Sequence, residues 1–337
     1  MRNPTREKFN GFMSAIAELN GVPSAAVKFA VDPSVQQTLE SRITESSEFL
    51  KSINVIGVTE QTGQKLGLGV GAPIASTTDT SKNDRTTKDP SDLDPNGYLC
   101  TQTNFDTHLS YARLDAWAKF DDFQTRVRDG IVQRQALDRI CIGFNGVERA
   151  ADSDRTKNPL LQDVNKGWLQ KYREQAAARV LHEGEMTAGK VTVGKGGDYE
   201  NIDALVYDAI SNMIDPWYRE DPAIVVMLGR GLLHDKYFPI INGSDTATQK
   251  LAADVLVSQK RVGGLKAVSV PYFPANALMI QRLDHLSVYW QEGGRRRTVI
   301  DNAKRDRIEN FESSNDAYVV EDFGSGCIVE NIASVPA

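Results

Sequence analysis

The chain has 337 residues, 40% hydrophobic and 25% charged, with a formal net charge of −6 at pH 7. That length supports one large or two small domains with an ample core, and the acidic balance argues against an electrostatic grip on nucleic acid, which needs clustered Lys and Arg. Cys100, Cys141 and Cys327 lack paired short spacing, so neither a disulfide framework nor a zinc site is expected, and no apolar run approaches membrane-spanning length.

Phe9, Phe12, Met13, Ile16 and Leu19 recur at helical spacing, and Asn20-Gly21 stops that helix. A secretory signal would need a continuous apolar core, which is absent here. Pro33 opens a second helix with Val35, Leu39, Ile43 and Leu50 on one stripe. Val55, Ile56 and Val58 form a strand that leads into a polar turn at Glu60–Lys65. Leu66, Leu68 and Val70 then alternate with Gly67, Gly69 and Gly71, the period of a hairpin strand. This glycine run does not predict a dinucleotide site, because Pro73 and the polar stretch Ser76–Pro90 stand where such a site needs a helix. Leu99, Thr101, Thr103, Phe105, Thr107, Leu109 and Tyr111 share one face of a long returning strand.

Leu114, Trp117, Phe120, Phe123, Val127, Ile131, Leu137, Ile140 and Phe144 predict one helix of about thirty residues, roughly 45 Å long. Asn145-Gly146 would close it with a left-handed cap. Asn158-Pro159 opens another helix, through Val164, Trp168, Tyr172 and Ala176. Gly184–Gly197 reads as loop and turn, and its VGKGGDY segment lacks the GK[ST] of a phosphate-cradling loop. Asn201 or Asp203 caps a helix carrying Leu205, Val206, Ala209, Ile210 and Met213, stopped by Asp215-Pro216. Strands follow at Ala223–Leu228, Leu265–Val270, Ala277–Arg282 and Ser287–Trp290. The C-terminal part closes with Tyr318–Val320, a turn at Gly324 and Gly326, and Cys327–Val329.

Catalytic chemistry is not evident. Of His108, His182, His234 and His285, His234 forms a local acid–base pair with Asp235, but no serine or cysteine nucleophile stands beside it. Glu183 and Glu185 flank a loop without a metal-ligand set. Arg295-Arg296-Arg297, after Gly293-Gly294, is the sharpest charge cluster. It reads either as a solvated hairpin tip or as a contact to a neighbouring copy's acidic loop, such as Asp89–Asp94.

A resemblance rests on several long blocks in one order: Ala75–Thr80, IVQRQALDRICIGFNG at Ile131–Gly146, NPLLQDVNKGWLQKYR at Asn158–Arg173, VGKGGDY at Val193–Tyr199, AADVLVSQKRVGGL at Ala252–Leu265, VPYFPANALMI at Val270–Ile280 and Arg307–Asn331. Together they resemble the major capsid protein of tailed double-stranded-DNA phages of the peduovirus type, over about Arg2–Ile332. The resemblance implies the α+β tailed-phage major capsid fold. Residues 1–31 would be a scaffolding-like or pro-segment, 32–54 an N-terminal arm and 55–111 an extended β-hairpin loop. Residues 112–200 and 301–337 would form a peripheral domain with a long spine helix, and 201–300 an axial domain.

The function implied is structural, without enzymatic activity, cofactor or metal: self-assembly into pentamers and hexamers of an icosahedral head. The place implied is the virion, assembled in the host bacterial cytoplasm. The partners implied are further copies of the chain, a scaffolding protein, an assembly protease and a portal protein. Double-stranded DNA is enclosed without sequence-specific binding, and no membrane is involved. Assembly contacts are expected at Lys65, Asp79, Arg85 and Lys88 on the hairpin and at Arg295, Arg296 and Arg297. A maturation-cleavage neighbourhood is expected at Lys28, Phe29, Ala30 and Val31. The alternatives are a soluble α/β enzyme with a small-molecule site near 223–238, or another virion subunit such as a tail-tube protein.

Overall fold

The computed structural model describes residues 1–68, 75–87, 91–118, 120, 122–233, 236 and 260–335. Helix α1 (Asn3–Leu19) stops at Asn20, and Gly21 then takes φ +60. Strand β1 (Phe29–Ala30) leads to α2 (Pro33–Glu45), whose first turn is capped by Asp32 accepting from the Ser34 amide at 2.9 Å. The stripe expected to continue to Leu50 breaks at Ser46, and Ser47 caps a separate α3 (Glu48–Ser52). After β2 (Asn54–Val58), β3 (Thr62–Leu68) and β4 (Ser91–Leu99) pair antiparallel as a two-stranded ribbon. Val70 and its neighbouring glycines lie outside the described residues.

The long returning strand is not one element. β4 ends at Leu99, β5 covers Thr101–Asn104, β6 covers Thr107–Ser110, and Tyr111 already begins α4 (Tyr111–Trp117). The expected long helix is also divided, into α4 and the 23-residue α5 (Phe123–Asn145), the latter about 35 Å long. Gly146 caps α5 with φ −66, so the expected left-handed cap is absent. Close approach accounts for the glycines here: a Cβ at Gly146 would lie 2.0 Å from the Asn165 carbonyl oxygen, and one at Gly143 would lie 2.2 Å from the Trp168 ring. Helix α6 (Trp168–Gln175) starts at Trp168 and not at Asn158, and Leu161 takes φ 60 in the turns that precede it.

Strands β7 (Val180–Leu181) and β8 (Val191–Val193) lie on either side of the Gly184–Lys190 loop, and Asn201 caps α7 (Ile202–Met213). The remaining strands are β9 (Ile224–Leu228), β10 (Arg261–Val262), β11 (Leu265–Val268), β12 (Leu278–Arg282), β13 (Leu286–Gln291), β14 (Arg296–Asn302), β15 (Arg307–Val320), β16 (Cys327–Val329) and β17 (Ile332–Ser334).

The 14-residue β15 organises the first sheet. On one edge it pairs with β14 (Arg296↔Ser313 to Asn302↔Arg307) and β13 (Leu286↔Val320 to Trp290↔Asp316). Its other edge pairs with β5 and β6. β1 adds beside β14, and β2 adds parallel to β13. The second sheet runs β10-β11-β9-β12-β16-β7, and β17 with β8 forms a small parallel pair. These pairings cut across the expected grouping. β13 and the start of β14 lie within 201–300 yet join β15, whereas β16 joins β12 and β7 adds beyond β16.

One buried cluster spans both sheets. It includes Phe49, Phe144, Trp168, Tyr172 and Tyr318 together with Met227, Met279 and Ile328. Edge-on aromatic contacts tie Phe144 and Tyr318 to Trp168, with centroids 5.1 and 5.5 Å apart, a geometry that ring quadrupoles favour. The Trp168 indole donates to the Ser287 carbonyl at 3.0 Å, so the ring is buried without an orphaned N–H. A second cluster packs α7 on the second sheet through Leu205, Val206, Val226 and Ile280. A third seats α1 on the body through Phe9, Ile16, Leu114, Val299 and Ile308.

Candidate assembly surfaces and a buried ionic cluster

The three consecutive arginines do not form a solvated tip. Arg295 is fully buried, and Arg296 and Arg297 are half-buried on β14. Arg295 donates to Glu40 of α2 at 2.7 Å, to Glu312 of β15 at 2.8 Å and to Gln135 of α5 at 2.6 Å. Arg139 of α5, also fully buried, donates to Asp316 at 3.0 Å and to the same Glu40 at 3.2 Å. Gln135 donates in turn to Glu312 at 3.2 Å. Arg297, bonded to Asn310 at 2.8 Å, acts electrostatically on Glu312 as the third cation of the group.

Buried charge is tolerated only when paired and hydrogen-bonded, and this cluster meets that condition. Burial alone would raise the Glu312 carboxyl. Arg295 and Arg297 more than offset it and hold Glu312 below its ordinary range. Burial alone would likewise depress the Arg139 guanidinium, but Asp316 and Glu40 reverse that and drive it well above its ordinary value. The cluster therefore bolts α2, α5, β14 and β15 together from within. The expected exposure of Arg295, and with it a direct contact to a neighbour, is corrected by this burial. Arg296 donates to the Arg295 carbonyl at 3.2 Å and keeps part of its side chain at the surface.

The hairpin residues lie on the ribbon and its tip. Lys65 is on β3, in register with Asp94 of β4. Asp79 is exposed and accepts from the Ser81 amide at 3.1 Å and hydroxyl at 2.6 Å, bonds that hold its carboxyl low. Arg85 is exposed, and Lys88 and Asp89 lie outside the described residues. The ribbon is anchored at its base, where Tyr98 packs edge-on against Tyr289 at 5.0 Å beside Cys100, Ala317 and Val319.

At the N-terminus, Phe29 and Val31 are buried whereas Lys28 and Ala30 are exposed. Phe29 and Ala30 pair with Arg297 and Arg296. Helix α1 is fastened by the Arg2 amide to Asp115 at 2.9 Å, by Lys8 to the Ala118 carbonyl at 2.8 Å and by an Arg6–Asp301 ion pair.

No catalytic constellation assembles among the described residues. His108 and His182 are exposed. His285 meets the Ser325 hydroxyl at 2.7 Å, but that serine is fully buried, and burial lowers the His285 pKa. His234 and Asp235 lie outside the described residues. Ile224–Leu228, the centre of the alternative enzyme reading, is a fully buried apolar strand. No cluster of metal-ligating side chains and no helix long and apolar enough to cross a membrane is present among the described residues.

The Gly184–Gly197 loop is structural. Asp198 accepts from the Met186 amide at 2.7 Å and the Thr192 amide at 2.8 Å. The Thr192 hydroxyl bond and these amides hold its carboxyl down at about 2.

A long central strand, the 23-residue α5, a two-stranded ribbon and a second mixed sheet make up an α+β fold. The capsid of an empty GTA particle shares this fold at 15% identity, with a TM-score of 0.52 over 86% of this chain and 90% of that one. The narrower assignment follows from sequence: a family model described as phage major capsid protein, P2 family, matches residues 8–332, and the chain belongs to that family. It is 54% identical to the capsid protein of Escherichia phage P2, over 98% of this chain and 95% of the relative. It is 41% identical to the major capsid protein of Serratia phage KSP20, over 98% and 97%. A chain in the structure titled satellite phage P4 procapsid including size determination (Sid) protein superposes with a TM-score of 0.83 at 50% identity, covering 99% of both chains. The protein is thus a major capsid protein, a subunit of a phage head shell with the α+β tailed-phage capsid fold.

Proposed function

We propose that copies of this chain close into pentamers and hexamers of an icosahedral head that encloses double-stranded DNA. The observation that carries this reading is the near-complete superposition on a procapsid subunit. The second sheet supports an axial role and the β15–α5 half a peripheral one. The hairpin 55–111 is the extended loop that reaches other copies. Repetition then turns weak heterologous contacts into a stable shell. The role is structural and not catalytic.

Residues 1–31 act as a scaffolding-like segment that an assembly protease removes near Lys28–Val31. Separate packing supports this, since α1 belongs to a cluster distinct from the main core. Cleavage there requires β1 to lift from β14, because proteases need an extended, unpaired segment. A scaffolding protein and a portal protein are the further partners, assembly takes place in the host cytoplasm, and the enclosed DNA is held without sequence readout. Negative-stain microscopy of the purified, concentrated protein tests the reading. Closed shells are expected; tubes or unassembled monomers at every concentration would contradict it.

A further inference from the structure

Among the described residues the chain passes between the two sheets three times. Two passages are short. Leu283–His285 joins β12 of the second sheet to β13 of the first, and residues 321–326 join β15 of the first to β16 of the second. The third passage runs through α4, α5 and α6 to β7. The short passages lie side by side, where the Glu321 amide donates to the His285 carbonyl at 2.8 Å.

A chain of side-chain bonds runs across them. The Ser325 hydroxyl lies 2.7 Å from His285 Nδ1 and 2.7 Å from Gln281 Oε1, with Ser325 and Gln281 fully buried. A serine hydroxyl has one proton to give, and an amide oxygen only accepts. That proton therefore goes to Gln281, and His285 donates to Ser325 through Nδ1–H. The Arg282 amide donates to the same Oε1 at 3.2 Å. An amide oxygen has two lone pairs, so this one is filled. Gln281 Nε2 donates to the Asp322 carbonyl at 3.2 Å, which fixes the orientation of the amide.

Tyr172, on α6 of the third passage, brings a competitor. It is fully buried, and its hydroxyl has no hydrogen-bond partner among the described residues. A buried hydroxyl left unpaired is destabilising, and each such group in a native fold calls for a reason. Gly326 stands between this hydroxyl and the filled amide. A Cβ there would lie 2.5 Å from the Tyr172 oxygen and 2.4 Å from Gln281 Oε1. A donor and an acceptor thus border the same small space, and the acceptor has no lone pair left. Phe323 of the 321–326 turn packs edge-on against the Tyr172 ring at 4.9 Å, which couples the turn to α6.

We propose that the three passages form a latch with two positions, in which Ser325 and Tyr172 compete for Gln281. In the first, that of this structure, Ser325 holds the lone pair and His285 keeps its hydroxyl turned that way. In the second, Ser325 turns its proton to the Asp322 carbonyl, already 3.1 Å away, and the Tyr172 hydroxyl closes on Gln281. The bond gained is set against the displaced turn. Because the turn joins a strand of one sheet to a strand of the other, its displacement changes the angle between the sheets. A subunit that fits both five- and six-membered rings needs such a change. The latch thus rests on the proposed closure into pentamers and hexamers, and adds where in the chain the two shapes are set.

Urea denaturation of the unassembled full chain tests the competition. Tyr172→Phe removes a hydroxyl without a partner and is expected to leave the ratio of folded to unfolded protein unchanged or higher. In a Ser325→Ala background the lone pair is free and Tyr172 takes it. The same substitution is then expected to lower that ratio about fivefold. His285→Phe, which removes the donor that orients Ser325, is a second background and is expected to behave the same way. Equal effects of Tyr172→Phe in all backgrounds overturn the proposal. Electron microscopy of Tyr172→Phe reads the consequence for assembly: subunits kept in one position are expected to close shells at about a tenth of the wild-type yield. Wild-type yield from this variant overturns the role in assembly. If the wild-type chain itself closes no shells, the reading as a shell subunit fails, and the urea comparison still decides the latch.

Discussion

At the scale of single residues, Arg295 shows how position outranks composition. Three adjacent arginines after a glycine pair look like a solvated tip, yet the first is the bolt of the fold. Its partner Glu40 lies 255 positions away, and no local pattern announces such a pairing. The helix start at Pro33 and the cap at Asn201, one of two candidates there, were by contrast legible because a helix start is set by its nearest residues. Replacing Arg295 by Ser leaves Glu312 buried without its main cation and Glu40 with Arg139 alone, and losing one partner of such a pair costs about 3–5 kcal/mol. Arg296→Ser removes only bonds to carbonyls and should cost about 1 kcal/mol or less. Urea denaturation of the two unassembled variants decides this; equal midpoints would mean that the cluster contributes nothing. The pH dependence has a definite sign. Glu312 is held below its ordinary 4.5, so its ionised form is favoured in the folded state. That contribution is full above pH 4.5 and is lost as the pH falls through the depressed value. Stability of the subunit should therefore fall on acidification in this window, and the fall should be shallower in Glu312→Gln.

Among the elements, α1, α7 and strands β9, β12 and β13 were legible because each has a clean period and a clear stop. The misreadings share one physical cause: apolar spacing continued across a chain break. Trp117 and Phe120 extend the helical stripe between α4 and α5, yet both are exposed, so they mark a junction and not a buried face. Leu99 is likewise exposed at the end of β4, where the ribbon meets the sheet. Helix α1 supports a prediction at this scale. The two main buried clusters contain no residue before Ile43. Removing Met1–Val31 should leave helical and strand content elsewhere intact, while baring Leu114, Val299 and Ile308 of the third cluster. Each apolar side chain uncovered gives up about 1.5–3 kcal/mol of burial, so the truncated subunit should melt earlier but still cooperatively. Circular dichroism melts check this, and a non-cooperative melt would make α1 part of the essential core.

For the whole molecule, the family was legible because many long blocks occur in one order, whereas the pairing of strands into sheets was not. Strand order is set by hydrogen bonds between distant segments, so β13 and β16 landed in sheets that chain position alone does not indicate. The main cluster joins those sheets through Met279 and Ile328 on one side and Val288 and Tyr318 on the other. The subunit should therefore open as one unit, and its three thiols can report this. All three are buried. Cys100 is at the ribbon base, Cys141 on α5 and Cys327 on β16. Burial pushes their pKa values up to about 12, 11 and 12 respectively. Because the thiolate is the reactive form, none should be alkylated by iodoacetamide in the native subunit at pH 8, and reductant should leave assembled shells unchanged. In rising urea, Cys141 and Cys327 should become reactive together at the global midpoint, read by mass spectrometry as a paired mass increase. Cys100 can open at lower urea, since only the small cluster with Ala317 and Val319 covers it. Labelling of Cys327 well before Cys141 would show that the second sheet unfolds on its own and that the shared cluster does not couple the two halves.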